Sequence, residues 1–115
     1  MKVVILGAGT VGVQIARQLI SEKKEVILIE KNADLSQQLA NDLDCLVIND
    51  EGRNPHLLKK AGVVDADFFI AVTGSDEVNL ITCSLVGSQY RKPVKIARVR
   101  NPYYVSSVSY THLRA

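Results

Sequence analysis

The sequence predicts an α/β fold, a doubly wound parallel sheet with helices on both faces, and three observations carry that prediction. Short runs rich in Val, Ile and Leu alternate with helical patterns along the chain, in the order βαβαβαβαβ. The strand runs are almost wholly apolar instead of alternating, as expected of strands covered on both sides. The residues suited to binding (Gly7 to Gly12, Glu30, Asp50, Thr73 to Asp76 and Arg98) all fall where a strand ends. Open parallel sheets bind ligands in the crevice outside those ends.

The first element is Lys2-Val3-Val4-Ile5-Leu6, a strand that breaks at once into Gly7-Ala8-Gly9-Thr10-Val11-Gly12. A helix over about Thr10 to Ser21 follows, with Val11, Ile15, Ala16, Leu19 and Ile20 as its apolar stripe. The strand Glu25 to Ile29 then leads to Glu30, 18 residues past the third glycine. G-x-G-x-x-G between a strand and a helix, with an acid after the next strand, is the dinucleotide-binding fingerprint of a Rossmann-like domain. Each glycine has its own task. Gly7 turns the backbone off the strand, Gly9 leaves room for a pyrophosphate, and Gly12 lets the helix pack closely. The helix N-terminus directs N–H groups and a positive dipole end at those phosphates. Glu30 can accept hydrogen bonds from both ribose hydroxyls of an adenosine. The competing reading is a nucleotide-free unit whose glycines serve packing alone. Arg17 could reach a phosphate, although a solvated surface position accounts for it as well.

Asn32 to Asp34 offer helix-capping residues, and Leu35, Leu39 and Leu43 repeat at helical spacing. Cys45 to Ile48 form the third strand, ending in Asn49-Asp50. Asn54-Pro55 reads as a helix start, with Leu57, Leu58 and Ala61 buried and Gly62 as the left-handed stop. Asp67 to Val72 form the fourth strand, followed by the polar turn Thr73 to Glu77. In the next helix Val78, Ile81, Leu85 and Val86 are expected to face the core, and Lys92-Pro93 ends it. Val94 to Arg100 form the fifth strand, whose alternation puts Arg98 and Arg100 on one face.

With 115 residues, 47% hydrophobic and 23% charged, the composition is that of an ordinary globular domain. A net charge of +2 and 5% aromatic content argue against nucleic acid or an anionic membrane as partner. No apolar run is long enough to cross a bilayer and the N-terminus reads as a strand, so the expected location is cytoplasmic. Cys45 and Cys83 form no metal or disulfide pattern and are expected to be small packed side chains.

On further motifs the chain resembles the TrkA-type regulatory domains of bacterial potassium transport, also called RCK or KTN domains. The resemblance rests on Gly7-Ala8-Gly9-Thr10-Val11-Gly12, Leu28-Ile29-Glu30-Lys31, Ala61 to Asp67, Ala71 to Asn79 and Ile96 to Pro102. It covers about residues 1 to 104 and implies a non-catalytic subunit that binds NAD(H), or ATP or ADP. It also implies dimers or rings beneath an integral-membrane potassium transporter, and so a peripheral place on the inner face of the membrane. By the match, Gly7 to Val11 hold the pyrophosphate and Glu30 the ribose. Thr73 and Gly74 contact the nucleotide across the crevice, Arg98 offers it a positive charge, and Asp50 matches an acidic loop position nearby. Thr73 could equally cap a helix, and Arg98 could pair with a carboxylate. Lys31 leaves a 2′-phosphate conceivable, but Glu30 would repel it, so NAD is favoured over NADP. The resemblance implies five strands here with a sixth missing, and it is lost from Val105 to Ala115. Ser109 to Ala115 look like a translated adapter tail within a tail of doubtful origin over 105–115, and about the last eight to ten residues, His112 included, are set aside from functional reasoning.

The alternative from another class is the cofactor domain of an NAD-dependent oxidoreductase, which the same architecture can host. Hydride transfer needs a proton donor or acceptor beside the nicotinamide. Here no tyrosine has a lysine four residues later, and the histidines are His56 in a short helix and His112 in the tail. No catalytic residue is assigned.

Overall fold

The computed structural model describes residues 1–51 and 54–107. Five strands form one parallel sheet: β1 (Lys2–Leu6), β2 (Glu25–Glu30), β3 (Leu46–Asn49), β4 (Phe68–Ala71) and β5 (Val94–Ala97). Their spatial order is β3-β2-β1-β4-β5, so the chain reverses its direction of growth between β1 and β4. Helices α1 (Thr10–Ser21), α2 (Ala33–Asp42), α3 (Pro55–Lys60), α4 (Asp76–Gln89) and α5 (Pro102–Ser107) connect and follow the strands. This is the expected doubly wound, Rossmann-like sheet. The tail expectations for residues 109–115, His112 included, lie outside the described residues.

The pleat divides the core in two. Val3 and Ile5 of β1 and Val26 and Leu28 of β2 pack with Ala16, Leu39 and Leu43 on the side of α1 and α2. Val4, Leu6, Ile27, Ile29 and Phe69 point the other way, against Leu57 and Leu58 of α3 and Cys83 and Val86 of α4. β1 is sealed on both faces, its Val4 and Ile5 fully buried, which is why its sequence is apolar from Val3 to Leu6.

Local signals set most boundaries. Asn32 Oδ1 accepts the Leu35 N–H at 2.9 Å to start α2, and Asn54 Oδ1 accepts the His56 N–H at 3.0 Å ahead of Pro55 in α3. Gly62, at φ 74°, ends α3 in the left-handed region as expected. Ser75 caps α4, its Oγ accepting the Val78 N–H at 3.2 Å. Thr73 therefore does not cap this helix.

Two expectations are corrected. The fifth strand ends at Ala97, short of Arg100. Arg98 N–H still donates to the Ala71 carbonyl at 2.9 Å, but the Arg100 and Asn101 N–H groups turn to the Asp76 carboxylate at 3.0 and 2.8 Å. In α4, Ile81 is 51% exposed instead of facing the core. The buried stripe is Asn79, Thr82, Cys83 and Val86, a face with two polar side chains.

Thr82 is fully buried, and its hydroxyl has no hydrogen-bond partner among the described residues. An unpartnered buried hydroxyl carries its desolvation cost uncompensated. Thr82→Val should therefore raise the unfolding free energy by about 1 kcal/mol, read as a higher urea midpoint. A lower midpoint would contradict this account.

Candidate functional site

The carboxyl ends of β1, β2 and β4 and the segment after β5 enclose a cleft of about 670 Å³. Gly7, Ala8, Gly9, Glu30, Lys31, Asp50, Thr73, Gly74 and Arg98 line it, so residues far apart in sequence meet at one rim. Thr10, Val11 and Gly12 are not part of the lining and form the first turn of α1 behind it.

The glycines divide their work much as the fingerprint suggests. Gly7 has φ 103°, and a Cβ there would lie 2.8 Å from the Thr73 nitrogen, so both conformation and space exclude a side chain. Its N–H still donates to the Ile29 carbonyl at 2.8 Å, which keeps the turn attached to β2. Gly12 is buried, and a Cβ there would collide with the Gly7 carbonyl oxygen. Gly9 differs: its backbone is extended (φ −74°, ψ −168°) and a Cβ would meet nothing within 4 Å. The fold does not require glycine there; the cleft gains open backbone from it. Gly9 is also the N-cap of α1 and supplies no side-chain cap, whereas α2, α3 and α4 are capped by Asn32, Asn54 and Ser75. The first N–H groups of α1 are thus left to a ligand or to water.

Glu30, at the end of β2, lies directly against this turn. Its Oε1 accepts the Ala8 N–H at 2.8 Å and its Oε2 the Asn32 N–H at 2.9 Å. One carboxylate therefore ties the glycine turn to the start of α2. An ionised carboxylate has about four lone-pair sites, so capacity remains for two hydroxyls. Ser36 Oγ and Asn49 Nδ2 donate to the Glu30 carbonyl at 3.0 and 2.9 Å, which fixes the backbone beneath it. Lys31 and Asp50 lie exposed on the same rim, and Asp50 Oδ1 accepts the Glu51 N–H.

The opposite wall is built by Thr73 and Arg98, and Asn79 joins them. Asn79 Oδ1 accepts the Thr73 N–H at 2.9 Å and the Thr73 hydroxyl at 2.7 Å. Its Nδ2 donates to the carbonyls of Thr73 at 3.1 Å and Arg98 at 2.9 Å. Sequence reasoning gave Asn79 no role. The available signal was an amide at an inward position of α4, three residues before Thr82. Arg98 is half-buried, and among the described residues no ion pair engages it; its positive charge helps hold the Asp76 carboxyl below its ordinary range. Cys83 is buried and its thiol is pushed up to about 12 by desolvation, which leaves it inert. Cys45 is half-buried, and its thiol is also raised by burial. Among the described residues, no cluster of His, Cys, Asp or Glu is placed to hold a metal.

On its outer side, the turn after β4 holds the chain that leaves β5. Besides the two bonds to Asp76, Arg100 Nη2 donates to the Gly74 carbonyl at 2.6 Å, and the Tyr104 hydroxyl donates to Glu77 at 2.9 Å. The Arg100 N–H is the main cause that lowers the Asp76 pKa from 3.8. A depressed carboxyl contributes stability above its unfolded pKa and loses it as pH falls through the folded value. Nuclear magnetic resonance should therefore place the Asp76 midpoint below 3.8, with the Arg100 and Asn101 amide shifts following it. A midpoint at or above 3.8 would show that these bonds do not form.

Comparison with known proteins agrees with this geometry. The family described as the TrkA-N domain matches residues 3–113. A Trk system potassium uptake protein TrkA of Halomonas elongata is 42% identical over 106 residues, which cover 92% of this chain and 23% of that protein. A TrkA homolog of Methanothermobacter thermautotrophicus is 46% identical over 102 residues, covering 89% of this chain and 47% of that protein. The chain thus spans less than half the length of either relative. Among solved structures, the GsuK channel bound to NAD superimposes with a TM-score of 0.84 over 98% of this chain and 21% of that one. At 22% identity, that likeness is one of fold. With the glycine turn, Glu30 and the Thr73 to Asn79 turn assembled at one rim, and with the family match spanning nearly its whole length, this chain belongs to the TrkA-N domain family.

Proposed function

We propose that this chain is the nucleotide-binding part of a regulatory subunit of a potassium uptake system. In this reading NAD(H), or ATP or ADP, occupies the cleft, and occupancy gates an integral-membrane potassium transporter. The nucleotide acts as a signal and is not consumed. The observation that carries the reading is the uncapped start of α1 beneath the open face of Gly9, set opposite the pinned carboxylate of Glu30. A pyrophosphate suits the first, with its unpaired N–H groups and positive dipole end, and a ribose diol suits the second. Arg98 supplies a cation at the same cleft. The names of the potassium uptake relatives and the NAD held by the GsuK channel support the reading.

The remaining roles follow from it. Gly7 to Val11 hold the pyrophosphate, with Gly12 supporting the turn from behind, and Glu30 holds the adenosine ribose. Thr73, Gly74 and Arg98 meet the far end of the nucleotide, while Lys31 and Asp50 border the adenosine side. Glu30 disfavours a 2′-phosphate, so NADH should bind more tightly than NADPH. The subunit works as a homo-oligomer, a dimer or ring, on the cytoplasmic face of the membrane beside its transporter. In this reading attachment runs through that partner; among the described residues no helix is long and apolar enough to cross a membrane. Gating then follows from population shift: a nucleotide moves the equilibrium only by its differential affinity for two states of the assembly.

Calorimetric titration with NADH, NAD, NADPH, ATP and ADP tests this directly. At least one of them should bind, and Gly9→Ala should weaken that binding about tenfold or more, because a methyl would block pyrophosphate hydrogen bonds. Since the Gly9 backbone suits any residue and its Cβ position is empty, the unfolding free energy should change by no more than about 1 kcal/mol. Absence of binding by all five nucleotides would sink the proposal, and turnover of NAD with a hydroxy- or amino-acid substrate would redirect it to an oxidoreductase.

A further inference from the structure

Asn79 is fully buried, belongs to no part of the cleft lining, and bonds to two residues that do line it. That combination needs a reason. The rest of the inward stripe of α4 (Thr82, Cys83 and Val86) could be completed by an apolar side chain, and burying an amide is costly unless every polar atom is matched. Here every one is matched. Oδ1 accepts two hydrogen bonds and Nδ2 donates two, which exhausts the capacity of a carboxamide.

The place of these bonds explains the choice of residue. The β4–β5 ladder pairs residues as far as Ala71 with Ala97, and its last backbone bond runs from Arg98 N–H to the Ala71 carbonyl at 2.9 Å. Beyond that point the two segments separate as they enter the cleft wall. Thr73 still has an N–H to satisfy and Arg98 a carbonyl, and the Asn79 amide meets both. A carboxamide carries one C=O and one NH2 in a plane, as a peptide unit carries C=O and N–H. Asn79 thus stands in for a missing rung, inserted between two backbones held one amide apart.

We propose that Asn79 is a positioning residue for nucleotide binding. It sets the separation of Thr73 from Arg98, so that a phosphate-bearing ligand meets hydroxyl, backbone and guanidinium together without touching Asn79 itself. The inference rests on the nucleotide reading above and goes beyond it in assigning part of the affinity to a residue outside the cleft. Asp would keep the acceptor half of the rung but, when ionised, would set a carboxylate against the Thr73 and Arg98 carbonyls. Leu would fill a similar volume and leave both segments unconnected.

The test compares stability with affinity in the full chain, using NADH and ADP as probes. Asn79→Leu and Asn79→Asp are measured beside Val86→Ala, a control that cuts packing in the same buried stripe of α4 and leaves Thr73 and Arg98 tied. All are titrated at a temperature where melting curves show them folded. Val86→Ala should lose stability and keep the wild-type Kd within about twofold. Asn79→Leu should raise Kd about tenfold or more and shift the Thr73 amide resonance in the ligand-free protein. Should Asn79→Leu not fold, Asn79→Asp carries the same comparison, with the same direction expected. An Asn79 variant that binds like wild type, or a Val86→Ala loss of equal size, would overturn the proposal and leave the nucleotide reading standing. Wild-type protein that binds neither NADH nor ADP, nor any of the other nucleotides, would overturn both.

Discussion

The contact between Gly7 and Thr73 governs the upper rim of this sheet. β1 and β4 are neighbours in space but distant in sequence, and helices leave them toward opposite faces. Where they part, the backbone of Gly7 lies so close to Thr73 that a Cβ would stand 2.8 Å from its nitrogen. Interiors at native density have little slack to absorb such an overlap. Gly12 then rests on the Gly7 carbonyl and brings α1 down onto the turn. The cleft is therefore a consequence of two close backbone approaches, with the open face of Gly9 left over between them.

Around that contact, polar groups serve as clamps. Glu30 bonds to Ala8 and Asn32, Asn79 to Thr73 and Arg98, and Asp76 to Arg100 and Asn101. Each of these side chains accepts or donates to backbone groups that the strands or helices leave unpaired as they end. A loop that turns away from a sheet must satisfy those groups or lose free energy for each one buried. At this rim the clamps belong mainly to a single chain segment, residues 73–79, which also forms part of the lining. Cleft wall and loop scaffold thus come from one short segment, Thr73 and Gly74 lining the cleft while Asp76 and Asn79 tie the backbone behind it, so a substitution that relaxes one alters the other.

The parts legible in the sequence were those governed by a single local rule. Asn32, Asn54-Pro55 and Gly62 marked helix boundaries because a cap or a left-handed residue acts on its immediate neighbours. β1 and β2 were legible because strands buried on both faces must be apolar along their buried runs, Val3 to Leu6 and Val26 to Ile29. The glycine turn and Glu30 were legible because their spacing is tied to one geometry. α4 was not. Helical periodicity places Ile81 inward on the premise that apolar residues seek the core, yet the inner stripe holds Asn79 and Thr82. Asn79 outweighs that premise through four hydrogen bonds, three of them to Thr73 and one to Arg98, 19 residues away. No periodicity shows a partner at that distance. The end of β5 escapes the alternating pattern for a related reason, since Asp76 draws away the Arg100 and Asn101 N–H groups.

The turn after β4 has two sides, and this limits how a ligand can act on the rest of the chain. Its inner side presents Thr73 and Gly74 to the cleft, while its outer side holds Arg100, Asn101 and Tyr104 through Gly74, Asp76 and Glu77. Gly74 belongs to both, because its carbonyl accepts from Arg100 while the residue lines the cleft. A molecule that displaced this turn would strain bonds to the segment entering α5, and a molecule that fitted it as it stands would reinforce them. The energy delivered outward is bounded by the difference in binding free energy between those two arrangements of the turn. A tightly bound ligand that met both arrangements equally would transmit nothing. Because the turn that lines the cleft also holds the segment entering α5, tightness of binding and strain passed outward are separate quantities, both running through the positions of Thr73 and Gly74.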